Sequence, residues 1–341
     1  MGDNCCDPLT MGRLQRFIET TLPGVYVHSV MVGETPSADT MHGFLGNVNA
    51  QVEEVCAKLA AEPRLRDGFN AVGFSQGGQF LRAVVQRCGG GGAERNSAPD
   101  PGRLRVKKLI TMGGQHQGVA SIPGCDTFSG AAAVKATSED NSTKPGGVEN
   151  EEVDEGGSVS AWCKAAEAAI ATAVYSHFTR SSVVQAQYFK DPAQIPNYLK
   201  YNPFLPDVNN ELETKNQRYK ANLMALEKLV LIRFAEDTVV VPRDSSWFGT
   251  YGVGTPARGV VQLRDQALYK EDWLGLKALD ERGALVMSDC PGNHMQFSDE
   301  WFKTNVIDVY LRDDEGNGGN LGAARSEQII VHGEEDSPVH E

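Results

Sequence analysis

The sequence predicts an α/β fold, a mostly parallel, doubly wound sheet with helices on both faces. Two observations carry this expectation. Apolar, β-branched runs alternate with stretches of helical period, so each strand returns over a helix before the sheet is extended. One such strand, residues 69–74, runs into Gly73-Phe74-Ser75-Gln76-Gly77-Gly78 and then into a helical stretch over 79–85. That is a sharp strand-to-helix turn with a serine at its apex. At 341 residues the chain is long enough to bury a full core.

Taken in order, residues 25–32 are β-branched and aromatic and read as the first strand. Residues 48–60 place Val52, Val55, Cys56 and Leu59 on one helical face. After the turn at Ser75 and its helix, residues 89–104 form a Gly/Pro/polar loop. A strand over 106–112 ends in Gly113-Gly114. Residues 126–160 then break the pattern. Ser, Gly, Asp and Glu dominate there, and 138–157 has no apolar period, so a disordered insertion is expected. It contains the glycosylation sequon Asn141-Ser142-Thr143. Helices with loops are expected over 162–226, strands over 229–234 and 284–287, and an amphipathic helix over 301–311. The layout is one domain over 1–311 and, from its Gly-rich and charged composition, a disordered tail over 312–341.

The formal net charge of −13 argues against a nucleic-acid surface, which carries a basic stripe. No apolar run reaches roughly 18 residues, so no transmembrane helix is expected. The first residues have neither the basic start nor the apolar stretch of a signal peptide. Seven cysteines are present, none at metal-ligand spacing, and no metal or other cofactor is expected. Two readings of the cysteines compete, free buried thiols or disulfides with one thiol left over, and their spacing alone does not choose between them.

Gly-x-Ser-x-Gly between a strand and a helix is the nucleophile elbow of the α/β-hydrolases. A serine hydroxyl is a weak nucleophile until a base takes its proton, and the base needs an acid to orient it. In this fold the chain order is Ser, then Asp or Glu, then His. His332 and His340 fall in the expected tail and His177 in a helical pattern, while His116 follows a strand end. His294 lies in a loop between a strand and a helix, where the base of such a fold belongs. Asp237 lies just past the strand over 229–234, with Glu236 and Asp244 as its competitors. Ser75, Asp237 and His294 are therefore the expected nucleophile, acid and base.

Several longer segments resemble the palmitoyl-protein thioesterases, most closely the lysosomal type 1 group. They are Met1-Gly2-Asp3-Asn4-Cys5-Cys6, the elbow from Gly73 to Ala83, and Gly113-Gly114-Gln115-His116-Gln117-Gly118-Val119. Asp244-Ser245-Ser246-Trp247-Phe248-Gly249, Leu274-Gly275-Leu276-Lys277 and the segment from His294 to Phe302 match as well. The resemblance implies an α/β-hydrolase fold and the same triad. It implies oxyanion donors at the backbone N–H groups of Gln76 and Met1. The activity implied is cleavage of long-chain acyl thioesters, chiefly palmitoyl-cysteine of S-acylated proteins, in the lysosome or secretory pathway. It further implies disulfides Cys5–Cys6, Cys56–Cys88 and Cys125–Cys163, with Cys290 free. Segment 162–226 would form much of an acyl groove, with Tyr188, Phe189, Phe204, Leu205 and Met224 as candidate lining; ordinary core packing is the competing reading of those five. A lipase or carboxylester hydrolase on the same fold, or an inactive acyl-binding relative, are the rival functions.

In one respect the sequence departs from this family, which has a signal peptide, an early strand and a His-Gly pair before the segment that begins here at Met1. The strand belongs between those over 25–32 and 69–74, so its loss is expected to open a gap in the middle of the sheet. The expectation that follows is an N-terminally truncated product or an incomplete gene model.

Overall fold

The computed structural model describes residues 5–90, 102–121, 182–254, 258–312 and 328–332. Met1, Cys125, Asn141, Cys163, His177, His340 and the whole of the 126–160 insertion lie outside the described residues. The strands are β1 (Tyr26–Ser29), β2 (Phe69–Phe74), β3 (Val106–Met112), β4 (Lys228–Phe234), β5 (Thr250–Tyr251), β6 (Val260–Val261), β7 (Leu285–Cys290) and β8 (Gln328–His332). Six of them form one sheet in the order β1-β8-β2-β3-β4-β7, parallel at every pairing. β5 and β6 make a small antiparallel pair elsewhere. An α/β fold with a parallel sheet is thus what the chain adopts.

The strands bury both faces, which is why they read as near-continuous apolar runs. Because successive side chains alternate, each strand feeds two cores. Ala71, Leu109, Leu229, Leu231 and Ile330 join the core that contains Val52, Val55 and Leu59 of α3 (Val48–Ala61) and Leu81, Val84 and Val85 of α4 (Gln76–Cys88). Val72, Ile110, Val230, Ile232, Ile329 and Val331 face the other core, built with Leu14 and Ile18 of α1 (Met11–Thr21) and with Phe302, Val306 and Ile307. The last three lie on the stretch expected to be helical. It runs as an α-helix over Asp299–Phe302 and continues as a π-helix over Lys303–Leu311. Neither α1 nor α2 (Pro36–His42) was anticipated from sequence. The α2 N-terminus is capped by Thr35, whose side chain accepts from the Ala38 N–H, and has Pro36 at its first position.

The expected gap does not exist, and the expected disorder of the whole tail is corrected with it. β8 enters the sheet between β1 and β2. Tyr26 to Ser29 pair with Gln328 to Val331 on one side, and Asn70 to Gly73 pair with Ile329 to His332 on the other. Ile329, Ile330 and Val331 are all fully buried. Composition over the whole tail hid the β-branched run Ile329-Ile330-Val331 inside charged and Gly-rich flanks. A slot between two strands offers hydrogen-bond partners along both of its walls, which an isolated strand of this length lacks.

Cys5 is bonded to Cys6, and Cys56 on α3 is bonded to Cys88 at the end of α4. Among the described residues the disulfide reading therefore holds for these four. Cys290 is a free thiol, buried at the end of β7, and burial pushes its pKa up to about 12. It is an inert packing residue and not a thiolate nucleophile.

Candidate active site

β2 delivers Ser75 to the carboxyl edge of the sheet, and the turn there requires glycine. A Cβ on Gly73 would lie 2.6 Å from the Gly77 carbonyl oxygen and 2.7 Å from Gly78 Cα. One on Gly78 would lie 3.0 Å from Thr111 Cβ and 3.1 Å from Gly114 Cα. α4 packs this closely against β2 and β3 only because those side chains are missing. Ser75 itself sits at φ 49° and ψ −125°, a strained backbone that Gly alone adopts freely. Its N–H donates to the Met112 carbonyl at 2.8 Å, which pins the turn to the end of β3. Immediately after Ser75, the Gln76 amide heads α4, at the positive end of its dipole.

His294 comes from the loop that follows β7. Its Nε2 lies 2.9 Å from Ser75 Oγ and its Nδ1 2.7 Å from Asp237 Oδ2. Asp237 follows the end of β4, and its other oxygen accepts from the N–H groups of Val239 at 2.9 Å and Val240 at 2.8 Å. With Oδ2 as the remaining acceptor, Nδ1 of His294 carries the proton and Nε2 accepts the Ser75 hydroxyl. The imidazole is held from several sides. Asn293 Oδ1 accepts from the His294 N–H and from the N–H and hydroxyl of Thr238, which ties the two loops together. Phe234 packs edge-on to the ring, with centroids 5.7 Å apart. A Cβ on Gly113 would come within 2.9 Å of Cε1, so the end of β3 must be bare there. Ser75, Asp237 and His294 are each less than a tenth exposed.

The competitors sit elsewhere. His116 is fully buried, its Nε2 2.9 Å from Thr111 Oγ1 and its ring stacked on Phe248. Burial, and then the Arg82 charge, hold its pKa well below the ordinary histidine value. Asp244 is paired with Arg233 at 2.8 Å, and Glu236 is exposed. His332, read from sequence as a tail residue, is half-buried at the end of β8, with its ring centroid 4.7 Å from that of Phe80.

A cavity opens beside Gln76. Tyr188 and Phe204 line it together with Phe80, Val184 and His332. The Tyr188 hydroxyl donates to Gln76 Oε1 at 3.3 Å, and burial raises the phenol above its ordinary pKa, which keeps that proton in place. The other three candidates for the lining do not border this cavity. Phe189 and Leu205 are buried in the core of the α3–α4 face, and Met224 packs on Gly275, where a Cβ would meet its side chain at 2.2 Å.

One contact at Ser75 has no counterpart in the sequence reading. Gln115 Nε2 lies 3.5 Å from Ser75 Oγ. Gln115 stood in one of the matching segments, but nothing in its spacing assigned it to the serine. Among the described residues no group of three or more His, Cys, Asp or Glu could hold a metal ion. Nor is any described helix long and apolar enough to cross a membrane.

A family model described as palmitoyl protein thioesterase matches residues 1–294. The chain is 39% identical to palmitoyl-protein thioesterase 1 of Caenorhabditis elegans over 311 residues, 91% of this chain and 89% of that one. It is 29% identical to palmitoyl-protein thioesterase 3 of Dictyostelium discoideum, over 81% of this chain and 77% of that one. To the lysosomal thioesterase PPT2 homolog of Drosophila melanogaster the identity is 26%, over 84% and 80% of the two chains.

Proposed function

The chain belongs to the palmitoyl protein thioesterase family and is a thioester hydrolase, and on that premise we propose that Ser75, His294 and Asp237 are its catalytic triad, acting on long-chain acyl thioesters. The observation that carries this reading is the unbroken path from the Ser75 hydroxyl through His294 to Asp237, with contacts of 2.9 and 2.7 Å.

His294 Nε2 takes the Ser75 proton as Oγ attacks the thioester carbonyl. Asp237 holds the imidazole in the required tautomer and stabilises the imidazolium. The oxyanion that forms faces the Gln76 N–H, at the head of α4. Met1 is the second donor in this reading, on family resemblance alone. The C–S bond breaks, the departing sulfur takes the proton from His294 Nε2 and leaves as the cysteine thiol, and the acyl group stays on Oγ as an ester. Water then attacks, with His294 as base, and the fatty acid departs. A thiolate leaves readily, so acid assistance matters less here than in amide cleavage.

The substrate class is palmitoyl-cysteine in S-acylated proteins. The apolar part of the wall beside Gln76, Phe80, Val184, Tyr188 and Phe204, supports it, since burying an acyl chain stabilises a complex by about 0.8 kcal/mol per CH₂. Relatives of this chain are named lysosomal thioesterases, which supports a lysosomal or secretory-pathway location. The test measures thiol release from a palmitoyl thioester beside hydrolysis of a long-chain oxygen ester. Faster thioester turnover, abolished by Ser75→Ala, is expected. Preferential oxygen-ester turnover, or a fully active Ser75→Ala protein, would overturn the reading.

A further inference from the structure

Three apolar side chains stand in solvent at one turn of the chain. Met41, near the end of α2, is 53% exposed, and Phe44 and Leu45, between α2 and α3, are 38% and 50% exposed. Single exposed apolar residues are ordinary, but a group of neighbours calls for an account. This turn also borders the cavity beside Gln76. His42 and Gly43 line that cavity, and the Gly43 carbonyl accepts from Gln76 Nε2 at 3.2 Å, on the residue that follows Ser75. Leu45 is bridged antiparallel to Val183, whose neighbour Val184 lines the cavity as well. Met41, Phe44 and Leu45 therefore stand on the outer side of the cavity wall.

The backbone beneath them is closed off. From Gly43 to Gly46 every N–H and every C=O has a partner within the chain. The Gly43 N–H donates to the Asp39 carbonyl, those of Phe44 and Leu45 to the Met41 carbonyl, and that of Gly46 to the Ser182 carbonyl, all at 2.8 to 3.1 Å. The Gly43 carbonyl accepts from Gln76 and from Gln185, and the Phe44 carbonyl from the Val184 N–H. The Leu45 carbonyl accepts from Gln51 Nε2 and the Gly46 carbonyl from Gln187 Nε2. A turn that meets only water has no need of an internal partner for each group, because solvent supplies one. A turn that enters hydrocarbon needs them all.

Neither 41–46 nor 182–188 contains an Asp, Glu, Lys or Arg, and His42 is turned onto the Val32 carbonyl at 3.2 Å. The closed backbone leaves no strand edge for a peptide to extend, and the lack of charge offers nothing to a charged partner. An uncharged, apolar medium fits. We propose that Met41, Phe44 and Leu45 dock the protein on a lipid bilayer by inserting into its interface, held by apolar burial and not by headgroup charge. A palmitoyl-cysteine substrate keeps its acyl chain in such a bilayer, so docking sets the cavity against the surface from which that chain must leave. The docking stands apart from the catalytic reading; the delivery of substrate rests on the function proposed above.

Co-sedimentation of the full chain with phosphatidylcholine vesicles tests the docking without turnover. Binding is expected, unchanged by high salt and not strengthened by anionic phosphatidylserine, since the chain carries a net charge of −13. The double variant Phe44→Gln with Leu45→Gln is expected to lose at least ~10-fold in partitioning. Its turnover of a water-soluble short-chain acyl thioester should equal the parent's, while turnover of a palmitoylated peptide carried in vesicles falls at least ~10-fold. In Phe44→Trp the added indole emission is expected to shift to the blue on vesicles, which reads the docking whatever the stability of the double variant. No binding by the parent, binding found only with phosphatidylserine or abolished by salt, or an indole emission that vesicles leave unmoved would overturn the proposal. So would a double variant just as impaired on the same peptide carried by albumin, which would make the turn a contact for the substrate protein. Ser75→Ala should bind vesicles as the parent does, so its loss of turnover speaks to the triad alone.

Discussion

His332 stands opposite Gly73 across the β8–β2 ladder, two residues before Ser75. The strand that completes the sheet thus ends level with the nucleophile elbow, although 219 residues separate Ser75 from His294 and β8 lies later still. His332 is followed in sequence by Gly333. Among the described residues β8 ends at His332, so a histidine from late in the sequence closes this strand beside the elbow.

β8 is therefore expected to be integral to the fold. Ile330 is 1% exposed and lies in the core with Ala71 and Leu109. Ile330→Ala is expected to cost about 2–5 kcal/mol, read as a lowered denaturant midpoint. A midpoint unchanged within about 0.5 kcal/mol, the range of ordinary surface substitutions, would mean that β8 is peripheral.

Asp237→Asn separates orientation from structure. Asn keeps one oxygen to accept from the Val239 and Val240 amides. It sets an NH₂ against His294 Nδ1 in place of the carboxylate oxygen now 2.7 Å away. The imidazole must then present the wrong tautomer to Ser75. Thioesterase kcat is expected to fall by about 10⁴ with the thermal midpoint nearly unchanged. Retention of more than a tenth of the activity would exclude Asp237 as the orienting acid.

Stability is expected to fall on the acid side. In the folded chain His116 has its pKa lowered by burial and then by Arg82, and His332 has its pKa lowered chiefly by burial. The unfolded chain binds these protons near the ordinary pKa of about 6.5, whereas the folded chain resists them. The unfolded state then holds more protons below that pH, so each histidine removes up to about 1.4 kcal/mol of stability per pH unit. Above about pH 6.5 the penalty vanishes. Urea titrations from pH 7 to pH 5 check this: the slope should be shallower in His116→Gln. An identical slope would show that His116 does not resist protonation.

The Cys56–Cys88 bond, at a sequence separation of 32, joins α3 to the last residue of α4, the opposite end of that helix from Ser75. The double variant Cys56→Ser with Cys88→Ser is expected to lose about 2–4 kcal/mol of stability. Its kcat per folded molecule should be little changed. A loss of kcat without loss of stability would tie this bond to the site instead.

Much of the fold and the core of the site could be read in the sequence because the constraints are local. A Cβ at Gly73 would meet the elbow's own Gly77 and Gly78, a constraint carried within the motif, and Asp237 and His294 lie just past strands whose apolar runs are plain. What escaped depends on distant partners. β8 is unremarkable until β1 and β2 flank it. The role of His332 was hidden with it. Tyr188 and Phe189 are neighbours, yet only the first lines the cavity, since the direction of each is set by packing that periodicity does not encode. Gln115 reaches Ser75 only because β3 lies beside β2. The helix α1 has an apolar face that buries Leu14 and Ile18, but its run is short and falls beside the cysteine pair and a proline.

The central claim is that Ser75 forms a covalent acyl intermediate under the control of His294. Mass spectrometry of the protein, quenched milliseconds after mixing with a palmitoyl thioester, tests it directly. The account predicts the added mass of one palmitoyl group, mapped to the peptide containing Ser75, and its absence in both Ser75→Ala and His294→Ala. An adduct on a different residue, or turnover with no dependence on Ser75, would contradict it.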